Sequence, residues 1–548
     1  MMASRLLVIG WDGATFDLVE PWIAAGELPN LARLMRDGVH GRLRSVPNMN
    51  SGPAWTSVST GLNPGKHGIY GLTDFAAGSY RVRPLNGSDR HGKVIWRQLS
   101  EGGRQVVVMN LPITYPAEPV NGVLVAGGDA PSSRSPQFTH PEGLIDEINA
   151  EAGEYILAAR LDGLIRAGRK AAALDRLHRM IEGRTRAALY LMERQPWDLF
   201  LVLFTASDSV QHYFWEDLAG GPYQDAILGV FRRLDETLGA LLAQAGDHTT
   251  TIVLSDHGFG PTRPGLRYLN DFLAGLGLLC YKPRRDSRTT LLRWAFLQLE
   301  KRLGDGTKEW LLEHFPRLHE SATAGLWVDG VDWSSTRAFN LAGSSQIWVN
   351  LRDRQPEGIV SPGEEYEEVV SLIQQALGEA VDPVTRRPAV KAVHWRADLY
   401  HGPFLDRAPD LLVEWTEESD LSGLAWYGDV QQVMATRSIA HRRHPVNGGH
   451  REMGILVASG PPFKKGELID GATLHDIAPT LLCLLNQPIP TSLDGQPLTA
   501  ALADHWLQAH APQFVEERQD STSASGISAS AADEDEVMGR LRALGYVE

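Results

Sequence analysis

The chain has 548 residues, 43% hydrophobic and 22% charged, with 52 Lys and Arg against 67 Asp and Glu for a net charge of −15. That length exceeds what one hydrophobic core usually supports, so one large elaborated domain or two are expected. The acidic balance argues against a bulk nucleic-acid or anionic-membrane binder, and two cysteines, Cys280 and Cys483, are too few for a disulfide scaffold and read as buried reduced thiols.

The first element is the apolar run RLLVIGW (5–11), which ends in Trp11-Asp12-Gly13. It is too short for a signal-peptide core, and no stretch of about eighteen apolar residues follows anywhere. A first strand in a cytoplasmic protein with no membrane segment is expected. A helix follows at 28–37, where Leu28, Leu31, Leu34 and Met35 recur at helical spacing. Ser51 then opens Ser51-Gly52-Pro53-Ala54-Trp55, with N-cap chemistry at the serine and a proline tolerated in the first helical turn. Further strands are predicted at 105–110, 198–204, 250–255, 410–415 and 454–459. Further helices are predicted at about 171–194, 224–245 and 475–486. Several strands are nearly continuous hydrophobic runs, as in a mostly parallel sheet covered by helices on both faces, which makes the fold class α/β.

Composition divides the chain. Residues 1–265 and 400–515 read as a discontinuous catalytic core, and 266–399 as an inserted cap with Trp- and Leu-rich helices at 288–316. From 516 the chain turns to Ser, Ala and Gly with a DEDE run at 533–536. That is a flexible acidic tail, 516–548, with a short docking helix at its end.

Three aspartates follow predicted strands directly: Asp12, Asp208 and Asp256. Open α/β sheets gather reactive groups outside the carboxyl ends of their strands, and three carboxylates there repel one another unless a cation sits among them. His212 follows Asp208 by four residues, and His257 is adjacent to Asp256, a donor mixture that suits zinc or a similar divalent ion. Ser51 is the nucleophile candidate. A hydroxyl at a helix N-terminus meets unsatisfied backbone N–H groups and the positive end of the dipole. Taken singly, each residue has a plainer reading: a strand-end aspartate as a turn residue, Ser51 as an N-cap, His212 as a histidine among aromatics. Their recurrence at successive strand ends carries the metal reading.

The order Asp12, Ser51, Asp208/His212, Asp256/His257 and His450 resembles the alkaline phosphatase superfamily. It is most similar to its bacterial branch of predicted phosphohydrolases and phosphomutases, related to type I phosphodiesterases/nucleotide pyrophosphatases. The stretches WDGATFD, GPAWTSVSTGLNPGKHGI, SDHGFGP, YHGPFLDRAPDLLVEW, GHREMGILVASGP and HDIAPTLL carry the resemblance across most of the chain. It implies an alkaline-phosphatase-like sheet and two divalent metal ions, most readily Zn2+, with Mn2+ or another first-row ion as alternatives. Asp208, His212 and His450 would hold one ion; Asp12, Asp256 and His257 would hold the other, with the Ser51 oxygen. The implied reaction is hydrolysis of a phosphodiester or phosphomonoester through a phosphoserine on Ser51, with a small phosphorylated molecule as substrate. The alternatives are a phosphomutase or phosphotransferase using the same intermediate, and a metal-binding protein without catalysis.

Two departures narrow the subclass. Sulfatases require Arg two residues after the motif proline, where this chain has Trp55. Nucleotide pyrophosphatases use Thr as nucleophile and carry a substrate-binding Asn shortly after His-Gly-Ile, where this chain has Ser51 and Leu72. Asn110 and Arg90 are the candidates to take over that contact. His67, His475 and Asp476 read as turn and helix-start residues, and 441–444 as a solvated loop.

Overall fold

The computed structural model describes residues 5–282, 330–341, 344–417, 421–428, 431–436, 445–516 and 531–543. The helices expected at 288–316 and the loop 441–444 lie outside these residues.

A nine-stranded sheet forms the centre. Its strands run in the order Glu467–Leu468, Gly38–Arg44, Met453–Ser459, Thr250–Leu254, Leu6–Trp11, Leu199–Phe204, Val106–Met109, Gly122–Val125, Thr139–His140. The five from Thr250–Leu254 to Gly122–Val125 pair in parallel, and Met453–Ser459 joins antiparallel. All six residues of Leu6–Trp11 and of Leu199–Phe204 are buried, so both faces of the central strands are covered. This is why they lack polar alternation. The covering elements include Pro29–Asp37, Lys170–Arg194, Ala226–Ala245 and Ile477–Leu484, each within a few residues of its predicted span.

The strand Leu411–Trp415 departs from expectation. It lies in a separate antiparallel sheet with Val390–Trp395, Gln346–Val349 and Ala338–Asn340. Its apolar run, like those of the central strands, specifies burial but not which sheet accepts it. Helix Glu364–Gly378 packs on this sheet, and both contribute to a second hydrophobic cluster that joins Tyr80 to residues from Tyr268 to Ala435. Cys483 is buried as expected, whereas Cys280 is half-exposed; both are free thiols. Among the described residues no helix is long and apolar enough to cross a membrane.

One contact in the central sheet fixes what lies above it. Gly10, near the end of the first strand, leaves room for the indole of Trp55; a Cβ there would stand 2.6 Å from both Trp55 and Leu203. Trp55 belongs to helix Ser51–Thr60, every residue of which is buried. Overpacking of this kind typically costs about 1–3 kcal/mol. Gly10→Val should therefore lower unfolding stability by about that amount in denaturant titration, and should also displace helix Ser51–Thr60, read as altered Trp fluorescence of the folded protein.

Candidate metal centre

Three adjacent parallel strands end side by side, and each delivers one carboxylate. Asp12 follows Leu6–Trp11, Asp256 lies two residues after Thr250–Leu254, and Asp208 sits in the first turn of helix Ala206–Phe214 behind Leu199–Phe204. Residues 12, 208 and 256 thus become neighbours through strand order alone. All three are buried, with at most 3% of their surface exposed.

The histidines arrive by different routes. His212 lies one turn beyond Asp208 in its helix, its Nε2 3.2 Å from Asp208 Oδ1. His257 precedes the short strand Gly258–Pro261, which pairs antiparallel with Gly448–Arg451 and sets Phe259 opposite His450. That pairing brings His450 Nε2 to 3.2 Å from Asp208 Oδ1 and 3.1 Å from His212 Nε2. Each imidazole Nδ1 faces a backbone carbonyl: Gly448 O for His212 at 3.0 Å, Gly258 O for His257 at 3.0 Å, and Met49 O for His450 at 2.7 Å. An Nδ1–H donated to a carbonyl leaves the Nε2 lone pair facing inward, the tautomer a metal ligand requires.

Ser51 is the first residue of its helix, behind an Asn50 cap whose Oδ1 accepts from Gly52 N at 3.1 Å. Its Oγ stands 3.5 Å from Asp12 Oδ1 and 3.3 Å from His257 Nε2. Trp55, one turn on, donates its indole N–H to Asp12 Oδ2 at 3.3 Å, so the same side chain that packs on Gly10 also orients a carboxylate.

These distances fit cations. Donors at about 2.0–2.1 Å from a tetrahedral zinc lie roughly 3.3–3.4 Å from one another. The Asp208–His212–His450 separations are 3.1–3.2 Å, and His257 Nε2 is 3.5 Å from both Asp12 Oδ1 and Asp256 Oδ2. His257 also joins Asp208 and His450 within 4.8 Å, so the two groups share a wall. Among the described residues, neither carboxylate oxygen of Asp256 has a hydrogen bond of good geometry, although both are fully buried. Buried carboxylates are ordinarily satisfied, and these lack only a positive partner.

The electrostatics agree. Burial raises the Asp12 pKa well above the usual carboxylate range, and the charges of Asp256 and Asp208 add to it. Burial and the Asp208 charge push Asp256 up to about 7. Burial also acts upward on Asp208, but His212 and then His450 outweigh it and hold its pKa below the usual range. Burial and the neighbouring His450 hold His257 well below an ordinary histidine, and so keep it neutral. Without a cation the cluster must take up protons; a divalent ion replaces them and restores the carboxylates.

All seven residues singled out in the sequence, Asp12, Ser51, Asp208, His212, Asp256, His257 and His450, therefore meet in one buried cluster. Of the two substitutes for the missing Asn, Asn110 lines the cavity next to Ser51 and Asp12 and adopts a left-handed φ of 66° at the end of its strand. Arg90 does not line it; it is buried against Glu118 and the Ile113 carbonyl. His67 holds the turn behind helix Ser51–Thr60 through Ser57 Oγ and Ile69 N, both at 3.1 Å. Asp476 completes a capping box with Thr473. Sequence reasoning missed Trp55 as an Asp12 partner; its indole one turn after Ser51 was the available signal.

The chain belongs to the type I phosphodiesterase/nucleotide pyrophosphatase family, whose model matches residues 6–438. It is accordingly a metal-dependent hydrolase of phosphoric esters. No curated protein matches its sequence. Among solved structures it is similar to phosphonoacetate hydrolase from Sinorhizobium meliloti in complex with phosphonoformate, at 15% identity and a TM-score of 0.51, over 87% of this chain and 94% of that one. That likeness agrees with an alkaline-phosphatase-like fold. It also matches murine ectonucleotide pyrophosphatase/phosphodiesterase 5 in an inactive form with AMP, at 15% identity and a TM-score of 0.49, over 91% of this chain and 100% of that one.

Neutralising one carboxylate should have opposite effects with and without metal. Asp256→Asn removes like-charge repulsion from the metal-free protein, so its Tm in chelator should rise by a few degrees, on the order of 1 kcal/mol. A Tm gain on adding a divalent ion is expected of the unaltered chain and should shrink in the variant; differential scanning calorimetry in both conditions reads the two changes.

Proposed function

We propose that the chain is a two-metal phosphoester hydrolase acting through a phosphoserine on Ser51. The observation that carries this reading is Ser51 Oγ at a helix N-terminus, within 3.5 Å of both Asp12 and His257. Asp12, Asp256 and His257 would hold one divalent ion with Ser51, and Asp208, His212 and His450 the other. Imidazole and carboxylate donors at tetrahedral spacing favour Zn2+. Bound there, the ions would neutralise the carboxylates, acidify the Ser51 hydroxyl and polarise the phosphoryl oxygens.

The protein's own part is positioning. The N-terminal turn of helix Ser51–Thr60 sets the positive end of its dipole beside Ser51, while its Gly52 N–H is held by the Asn50 cap and Pro53 carries none. Ser51 Oγ gives up its proton to solvent and attacks phosphorus, an O–P bond forms, and the ester oxygen departs with its bonding pair and takes up a proton. Water then attacks the phosphoserine, releasing the phosphoryl product and restoring the hydroxyl. Trp55 keeps Asp12 in place during both steps, and the three backbone carbonyls keep the imidazoles oriented.

Ser51→Ala should lower kcat toward 4-nitrophenyl phosphate and methyl 4-nitrophenyl phosphate on the order of a thousandfold or more, with metal content nearly unchanged. Acid-quenched wild-type enzyme should carry a phosphate on the peptide containing Ser51, read by mass spectrometry. Retention of most activity by Ser51→Ala would remove the nucleophile assignment. Transfer to an added alcohol without release of inorganic phosphate would favour the phosphotransferase alternative.

A further inference from the structure

Above Ser51 the chain closes on itself. A cavity of about 100 Å³ opens over Ser51, Asp12 and Asp208, and part of its lining comes from the far end of the chain, in helix Ala531–Ala543. Val537 and Leu541 from that helix line it together with Leu72, Leu85, Leu157 and Leu161, so most of its surface is apolar.

The helix is tied down by specific contacts. Arg540, buried, donates to three backbone carbonyls of one loop: Gly128 at 2.6 Å, Ala130 at 2.8 Å and Pro131 at 2.8 Å. Glu534 pairs with Arg81 at 2.9 Å, and Glu536 pairs with Arg160, itself on the cavity wall. Val537, Met538 and Leu541 form a small cluster that packs on Leu72 and Val82. The acidic run and the apolar positions of this segment thus have separate partners, and both hold the helix against the cavity.

We propose that helix Ala531–Ala543 is a wall of the substrate pocket and sets its substrate class: phosphoesters of a small apolar alcohol, an aryl or short alkyl group. The proposal rests on Ser51 being the phosphoryl acceptor. Size and polarity carry it. An apolar cavity of about 150 Å³ holds benzene, so the 100 Å³ here is of the scale of one small group, with a ring reaching its open side. A nucleoside is far larger than this space, and most of the surface the cavity exposes is apolar, although Asp129, Arg160 and Arg540 also line it. The leucines reward burial of a ring: removing it from water is worth more than a tenfold gain in affinity, at about 25 cal/mol per Å². Leu72, on which the helix packs, is one face of this apolar lining.

Binding to the zinc-loaded full-length chain tests the proposal by calorimetry, with phenylphosphonate, methylphosphonate and thymidine 5′-monophosphate as probes. Phenylphosphonate should bind about tenfold or more tighter than either of the others. Val537→Phe fills the cavity and should weaken phenylphosphonate about tenfold more than methylphosphonate. Arg540→Ala removes the tie to the 128–131 loop and should raise the affinity for thymidine monophosphate relative to phenylphosphonate by about tenfold. Equal affinity of the unaltered chain for phenylphosphonate and thymidine monophosphate would overturn the proposal, as would a Val537→Phe effect equal for both phosphonates. These ratios are read without turnover, so an absence of ester hydrolysis would count against Ser51 chemistry and not against the pocket.

Discussion

Three carboxylates buried within a few ångströms of one another repel strongly, and in a medium of low dielectric that repulsion cannot be screened by water. Asp12, Asp208 and Asp256 are placed in that situation by the most rigid part of the molecule, the ends of three adjacent parallel strands. A cluster of this kind is tolerable only if protons or cations neutralise it. The surrounding design favours cations: three imidazoles turn Nε2 inward because their Nδ1 atoms are bound to backbone carbonyls, and Asp256 has no hydrogen bond of good geometry to lose. The net charge of −15 includes these three negatives, so part of the chain's acidity belongs to a site that accepts cations and, through them, anions.

Ser51 depends on the same frame. Helix Ser51–Thr60 is set over the strand ends by Trp55, which occupies the space left by Gly10 and binds Asp12. Packing and electrostatics therefore converge on a single indole. Displacing it would disturb the first strand, the orientation of a carboxylate and the approach of Ser51 together. The antiparallel ribbon of Gly258–Pro261 with Gly448–Arg451 does the corresponding work on the other side, because strand pairing fixes His450 opposite Phe259 and next to Asp208.

Much of this was legible in the sequence, and what was not has physical reasons. Continuous apolar runs ending in Asp marked the central strands and their carboxylates, since burial on both faces removes the polar alternation and the site lies just past each strand. His450 came only from family resemblance: Gly-Gly-His-Arg has no periodicity, and its position depends on pairing with a segment nearly two hundred residues away. The run at 410–415 predicts a strand and forms one at Leu411–Trp415, yet nothing local distinguishes a strand of the central sheet from one of the smaller sheet. The acidic tail was read as a flexible segment with a docking helix. Residues 517–530 and 544–548 lie outside the described part of the structure, but the helix between them is seated, and its destination could not be read locally. That destination depends on loop carbonyls at 128–131 and on arginines at 81 and 160, which the tail meets only after the sheet has formed.

The claim on which the rest depends is that the buried acidic cluster exists to hold divalent cations. Equilibrium dialysis of the full-length chain against micromolar zinc, with metal counted by mass spectrometry, addresses it directly. The account predicts about two zinc ions per chain, bound with release of protons from the cluster. A chain that binds no zinc under these conditions would contradict it.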